Sequence, residues 1–180
     1  MGASLAGLLI ITVLFTAALI IFRTNLLTNA QIADSIKEIS DVIGERARTV
    51  IKISTTTGDQ SGGCDTARIK VENTGATSVS NFSDMDVIVQ FTSGDNQVQK
   101  LNYVTGDTPS TTGDWARSLS PQDFEAGIFN PGEIMVITAI LSITQTVSTG
   151  EGAVTVSTPN GVTATRTFPD NFQVSRCPVS

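Results

Sequence analysis

The stretch that decides the fold is MGASLAGLLIITVLFTAALIIF, residues 1–22, which contains no charged side chain. As a helix at 1.5 Å per residue it spans roughly 33 Å, enough to cross the hydrocarbon core of a bilayer. It is longer than the apolar region of a cleaved secretory signal, and no Lys or Arg precedes it. We therefore expect a retained apolar helix, either a membrane anchor or part of a chain that has lost a basic leader.

Residues 23–54 are expected to continue this helix as an amphipathic segment, because no proline interrupts the run from residue 1. Isoleucines recur here at alternating steps of three and four residues, the heptad spacing of helices that pack together. Val50 and Ile53 extend this stripe, Arg46 occupies one of its positions, and residues 55–58 are expected to end the helix. A lone membrane anchor needs no such stripe, so the pattern predicts protein neighbours.

Small residues four positions apart also occur in the apolar block, and they allow close approach of helices. Gly2 with Ala6 and Ala3 with Gly7 have this spacing. The residues expected to make helix–helix contacts are Gly2, Ala3, Ala6, Gly7, Leu8, Leu14, Phe15, Phe22, Ile32, Ile36, Ile39 and Ile43.

Residues 55–180 are predicted to form one β domain, since short runs rich in β-branched residues alternate with turn residues. The runs are residues 67–73, 85–91, 97–104, 134–144, 153–158 and 162–168. Asn160-Gly161 between the last two is typical of a type I′ hairpin turn. The fold class expected is α+β, a long N-terminal helix followed by an antiparallel immunoglobulin-like β-sandwich head. A connecting segment is expected to pack against the sandwich through Trp115, Leu119, Phe124, Ile128 and Phe129.

Composition argues against several classes of function. The net charge of −6 disfavours a nucleic-acid surface, and the chain has no histidine, the commonest general base and metal ligand. Neither a nucleophile–base pair nor a phosphate-binding loop is recognisable, so we expect no enzyme, no cofactor and no small-molecule substrate. Carboxylates at Asp84, Asp86, Asp95, Asp107 and Asp114 lack EF-hand spacing and are interpreted as a solvated acidic surface rather than a calcium site.

Two sites of covalent modification are candidates. Cys64 and Cys177 lie near the two ends of the β domain, and a disulfide between them would stabilise it by on the order of 4 to 5 kcal/mol in the chain-entropy model. Two separately buried thiols are the alternative. Asn81-Phe82-Ser83 is a sequon for N-glycosylation between two predicted strands, where a glycan would reach solvent.

The chain resembles the archaellins and the archaeal type IV pilin-like filament subunits. The resemblance is carried by Met1-Gly2-Ala3-Ser4 with the apolar run after it, and by three phrases of the head. These phrases are VENTGATSVSNFSDMDVIVQF (71–91), NPGEIMVITAIL (130–141) and VSTPNGVTATRTF (156–168). The last two also look like the accessory proteins of the archaellum. Leu5 stands where bacterial type IV pilins carry a glutamate, which favours the archaellin side.

The resemblance implies a homopolymer for swimming motility, in which the N-terminal helices form a bundle and the heads an outer sheath. It also implies a membrane-inserted precursor with a short basic leader, a prepilin-type peptidase that removes the leader, and a membrane platform that assembles the extracellular filament. Two alternatives stay open. One is an adhesive pilin-like filament subunit, and the other is a membrane-anchored accessory or stator protein.

Overall fold

The computed structural model describes residues 2–59, 66–91, 97–120, 127–142, 152–169 and 172. The chain divides into two compact units, Met1–Gly44 and Glu45–Ser180. The elements are helix α1 (Gly2–Arg48), a 3₁₀ turn (Phe82–Asp84) and strands β1 (Ile51–Asp59), β2 (Thr66–Asn73), β3 (Asp86–Phe91), β4 (Val98–Tyr103), β5 (Asp114–Ser120), β6 (Ile134–Ile140), β7 (Gly152–Ser157) and β8 (Thr163–Thr167).

Helix α1 ends at Arg48, so the predicted boundary at residue 54 is wrong by six residues. Residues 51–59 form β1, which pairs with β2 in antiparallel register. Ile53 fits both a heptad and the two-residue period of a strand, so the sequence pattern is ambiguous at this point. Pairing with β2 decides it, because Ile51 and Ile53 then both enter the core while Lys52 stays exposed.

The strands form an eight-stranded sheet in the order β1-β2-β6-β5-β4-β3-β7-β8. Every pairing is antiparallel except that of β4 with β5, which is parallel. The predicted class, a helix followed by a β-sandwich head, is confirmed, with the sheet folded into a nearly closed sandwich. Strand β5 is a correction to the sequence analysis, because Trp115 and Leu119 lie on a strand rather than on a connecting segment.

Arg166 of β8 connects the two ends of the strand order. Its Nη1 donates a hydrogen bond to the carbonyl oxygen of Ile53 at 3.0 Å and another to that of Ser54. These carbonyls lie beside an irregularity in β1, where the register with β2 shifts between Ile53 and Thr55. A side chain thus joins β1 and β8, which have no backbone ladder between them in the described residues.

The core of the head is made by alternate residues of the strands, as the two-residue period requires. The fully buried large side chains are Ile69, Val71, Val87, Val89, Leu101, Trp115, Phe129, Met135, Ile137, Leu141, Val154 and Phe172.

The hairpin turn between β7 and β8 differs from the expected type I′ turn. The amide of Thr158 donates to the carbonyl of Val162 at 2.8 Å, and the amide of Gly161 donates to the carbonyl of Thr158 at 2.8 Å. This makes a three-residue loop in which Gly161 has φ +81°, the left-handed conformation that closes such loops. Pro159 occupies the first loop position, where its fixed φ suits the turn.

Candidate functional site

The largest unpartnered apolar surface of the described residues lies on helix α1. Its large apolar side chains between residues 8 and 43 are each 52–68% exposed. Eleven of them lie within residues 8–22, and exposing them to water costs on the order of 10 kcal/mol relative to an apolar environment. By length and composition, Gly7–Arg48 is also a helix that could cross a membrane. The segment therefore requires lipid or other protein around it.

The threonine hydroxyl groups of α1 form hydrogen bonds with backbone carbonyl oxygens of the same helix. Thr12, Thr16 and Thr28 donate to carbonyl oxygens of the preceding turn at distances of 2.9 to 3.2 Å. Thr24 does the same to Ile20 at 2.6 Å. Because these hydroxyls need no external partner, they can enter an environment without water at little cost.

Between residues 32 and 43, two opposite faces of the helix differ in polarity. The stripe of Ile32, Ile36, Ile39 and Ile43 is exposed over its whole length. Asp34, Glu38 and Asp41 follow one another at steps of four and three residues on the opposite face, given about 100° of rotation per residue. Helix α1 thus carries an apolar stripe suited to helix packing and an acidic face suited to water.

The structure places the predicted contact residues on this helix, where they have no partner among the described residues. Leu8, Leu14, Phe15 and Phe22 are exposed, and a Cβ built on Gly7 would meet nothing within 4 Å. Gly2, Ala3 and Ala6 lie in α1, but their side chains are outside the described residues. Their part in helix packing remains a prediction.

The end of the helix is held within the head unit by hydrogen bonds that the sequence analysis did not identify. Thr49 follows α1 and is buried; its Oγ1 donates to the carbonyl of Glu45 at 2.9 Å and accepts a hydrogen bond from Nδ2 of Asn160 at 2.7 Å. Asn160 is in turn held by Oγ1 of Thr158, which donates to its Oδ1 at 2.6 Å. The β7–β8 turn therefore anchors the helix terminus.

A second loop caps the same terminus from residues 74–76. The amide of Ala76 donates to the carbonyl of Arg48 at 2.8 Å, and the amide of Gly75 donates to that of Val50 at 3.0 Å. Helix termini leave carbonyl oxygens without partners inside the helix, and the amide of Ala76 satisfies one of them, whereas that of Gly75 bonds to the segment after the helix. Gly75 has no room for a side chain, since an added Cβ would lie 2.5 Å from the carbonyl oxygen of Arg48.

Arg46, which occupies a stripe position, also bonds to the head. Its Nη2 donates to the carbonyl oxygen of Gly161 at 3.1 Å. We call Arg46, Thr49, Gly75, Asn160 and Gly161 the helix–head junction. Nothing in a periodicity analysis links these residues, although the Asn160-Gly161 turn itself is recognisable from sequence.

Asn81 is exposed and is one of the residues that line a cleft of about 140 Å³ beside this junction, together with Glu45, residues 78–80, Pro159 and Asn160. Its Nδ2 donates to the carboxylate of Asp84, and Oγ of Ser83 donates to its Oδ1 at 3.0 Å. The sequon is thus accessible from solvent, and N-glycosylation at Asn81 remains a prediction.

Other candidates from the sequence are placed as follows. Cys64, Cys177, Asp95 and Phe124 lie outside the described residues, so the disulfide stays a prediction. Asp86 forms an ion pair with Lys100 at 2.7 Å. The part of the chain that the structure describes contains no group of three or more His, Cys, Asp or Glu residues suited to a metal ion.

Comparison with known proteins finds similar structures but no similar sequence. No protein-family model matches the chain, and no curated protein matches it significantly in sequence. A chain of the archaeal flagellum of Methanospirillum hungatei strain JF1 aligns with a TM-score of 0.56 and 15% identity, over 93% of this chain and 96% of that chain.

Two further solved structures align with about two thirds of this chain. The archaellum periplasmic stator protein FlaG from Sulfolobus acidocaldarius aligns with a TM-score of 0.49 and 22% identity, over 67% of this chain and 99% of that chain. The archaeal flagellin FlaB1 from Methanocaldococcus jannaschii aligns with a TM-score of 0.47 and 16% identity, over 71% and 96%. These TM-scores lie below 0.5, so the fold likeness rests on the Methanospirillum chain. The resemblance to archaellum proteins expected from the sequence is confirmed at the level of fold.

Proposed function

We propose that this chain is the structural subunit of an archaellum-type filament and polymerises through helix α1 to support swimming motility. The observation that carries the proposal is the apolar helix, whose large side chains stay at least half exposed from residue 8 to residue 43. The likeness to the archaeal flagellum chain supports it, since that alignment extends over 93% of this chain and so includes helix as well as head.

The length of the exposed segment separates packing in a bundle from simple anchoring. A bilayer needs about 20 apolar residues, and residues 1–22 supply them. The exposed isoleucine stripe lies ten to twenty-one residues beyond that block. A heptad stripe in water is stabilised by packing against other helices, and neighbouring copies of α1 provide them in a polymer.

Assembly then moves the apolar block from lipid into a bundle of identical helices. Both environments are apolar, so the gain comes from close packing of side chains rather than from new removal of water. Extraction from the bilayer therefore requires work, which we assign to a membrane assembly platform. A prepilin-type peptidase would release the subunit from a basic leader, and the finished filament would lie outside the cell.

The helix–head junction holds the last residues of α1 to loops of the β domain within the unit Glu45–Ser180. Three hydrogen bonds join residues 46–49 to these loops: Arg46 donates to the carbonyl of Gly161, and Thr49 and Arg48 accept from Asn160 and Ala76. We propose that this junction carries load between the helix and the head when the filament turns.

The test is electron microscopy of filaments sheared from cells that produce the chain, with the filament protein identified by mass spectrometry. We expect long filaments composed of this chain, and a deletion strain that does not swim. Absence of the chain from all sheared filaments, with the protein retained in the membrane, would overturn the proposal in favour of a membrane-anchored accessory or stator protein. Filaments whose loss abolishes attachment but leaves swimming intact would instead identify an adhesive pilin-like subunit.

A further inference from the structure

Arg23 is the only charged side chain within residues 1–33. The residues three and four positions away on α1 are Leu19, Ile20, Leu26 and Leu27, so its own helix offers no carboxylate within one turn. Among the residues that the structure describes, Arg23 forms no ion pair. The chain thus places a single guanidinium at the boundary of its apolar block with no counter-charge beside it.

In a helix bundle this guanidinium needs a partner from another chain. Removing an isolated charge from water is costly unless it is paired and hydrogen-bonded. Every copy of the chain carries the same arginine at the same height on its helix, so the partner must come from a copy displaced along the axis. The displacement is then set by the distance along α1 from Arg23 to the carboxylate that it meets.

The first carboxylate along the helix is Asp34, eleven residues beyond Arg23. Eleven residues make about three helical turns and a rise of about 16 Å, so the two side chains leave the same face of α1. On one helix they are too far apart to touch. Asp34 also forms no ion pair with a described residue.

Resting on the proposed function, we propose that Arg23 of one copy forms an ion pair with Asp34 of a neighbouring copy displaced by about 16 Å along the helix axis. Residues on the same face of parallel helices lie at about the same distance from the filament axis when a screw operation relates the copies. Packed helices are about 8 to 10 Å apart, a gap that the long arginine side chain crosses towards the aspartate. The small Ala30, one turn before Asp34, leaves room for the guanidinium.

Two other carboxylates lie near the same face, Glu38 and Asp41. Pairing with them requires displacements of about 22 and 27 Å, which reduce the overlap between the apolar segments. Lys37 lies three residues after Asp34 and four before Asp41, so it can approach either carboxylate on its own helix and does not distinguish between them. Asp34 is the first carboxylate after the uncharged segment, so pairing with it keeps the longest overlap between the apolar segments of neighbouring copies.

The experiment uses charge exchange in the full-length chain, measured as the fraction of subunits in sheared filaments. Arg23→Glu and Asp34→Arg are each expected to reduce this fraction at least about tenfold, because each leaves like charges in the bundle. The double variant Arg23→Glu with Asp34→Arg is expected to return to within about threefold of the original chain. Matched controls combine Arg23→Glu with Glu38→Arg or with Asp41→Arg, and neither is expected to recover.

A second series covers the case that reversed charges prevent membrane insertion. Arg23→Gln alone removes the partner of Asp34 on the neighbouring copy and is expected to assemble poorly, whereas Arg23→Gln with Asp34→Asn is expected to assemble well. The amount of subunit in the membrane fraction is measured for every variant. Recovery with Glu38→Arg or Asp41→Arg instead of Asp34→Arg overturns the pairing, and so do single variants that assemble normally. Failure of the unaltered chain to form filaments contradicts the proposed function itself.

Discussion

Nδ2 of Asn160, in the turn between β7 and β8, donates a hydrogen bond of 2.7 Å to Oγ1 of Thr49, the residue that follows helix α1. The two residues are 111 positions apart in the chain. The bond links the end of the helix to a hairpin at the other end of the sequence. Thr49 is 3% exposed, so losing this partner leaves a polar group without water to replace it.

Asn160→Ala is expected to lower the free energy of unfolding of the head by about 1 to 3 kcal/mol, because it leaves the hydroxyl of Thr49 short of a donor and removes one of the two acceptors of Thr158. The measurement is chemical denaturation of the full chain in detergent, followed by Trp115 fluorescence. Thr49→Val should cost less when added to Asn160→Ala than on its own. Asn102→Ala, at an exposed position of β4, is the control and should change the free energy of unfolding by less than about 0.5 kcal/mol. Full additivity of the two junction variants would contradict the coupling.

Gly75→Ala is expected to destabilise the head by about 2 to 4 kcal/mol, because its methyl group has no space beside the backbone of Arg48 and Val50. The loop would have to move, and the amide of Ala76 that bonds to the carbonyl of Arg48 would move with it. Gly44→Ala is the matched control, since a Cβ there would meet nothing within 4 Å and alanine favours a helix. Thermal unfolding by circular dichroism should show a lower midpoint for the first variant only. Equal midpoints for both would show that the loop adapts without cost.

Arg166→Met is expected to loosen the contact between β1 and β8, since it removes the donor to the carbonyls of Ile53 and Ser54 but keeps an apolar stem of similar length. We expect a loss of about 1 to 3 kcal/mol. Faster hydrogen exchange should be confined to β1 and β8, the two edge strands, which lose the side-chain bridge between them and become more open to pairing with other chains. Lys70→Met, an exposed position on β2, is the control. Unchanged exchange in β1 would mean that core packing alone keeps the sandwich closed.

Gly7→Leu tests close packing of the helices. A Cβ added at position 7 meets no atom of the described residues within 4 Å, so the head should unfold at the same denaturant concentration as before. In a bundle the added side chain would keep neighbouring helices apart, and we expect filaments to be lost or distorted in electron micrographs. Leu8→Ile, an apolar substitution of similar volume at the adjacent position, serves as the control and should assemble. Normal filaments from Gly7→Leu would show that this position does not face a neighbouring helix.

The helix and the type of head were largely predictable from the sequence. An uncharged, apolar block of 22 residues is stable mainly as a helix in lipid or among other helices. Six of the eight strands coincide with runs of β-branched residues between turns. Strand β5 was missed because Asp114–Ser120 carries an arginine and two serines among its apolar residues. Its pairing with β6 and the burial of Trp115 outweigh that weak local preference.

The candidate site, too, was only partly predictable from the sequence. Exposure of the isoleucine stripe follows from its spacing and from the absence of a second helix in the described residues. The residues of the helix–head junction could not be found by periodicity, because Thr49, Gly75 and Asn160 come from three separate parts of the chain. Only a folded backbone shows that they meet.

By itself, the sequence determined that a long apolar helix precedes a β domain, because uninterrupted apolar composition and two-residue alternation are local properties of the chain. The tertiary structure decided where the helix ends, since Ile53 satisfies both periods and pairing with β2 selects the strand. It also decided that Arg166 joins β1 to β8 and that Asn160 holds Thr49. These contacts depend on the register and order of strands far apart in sequence, and no local pattern encodes that order.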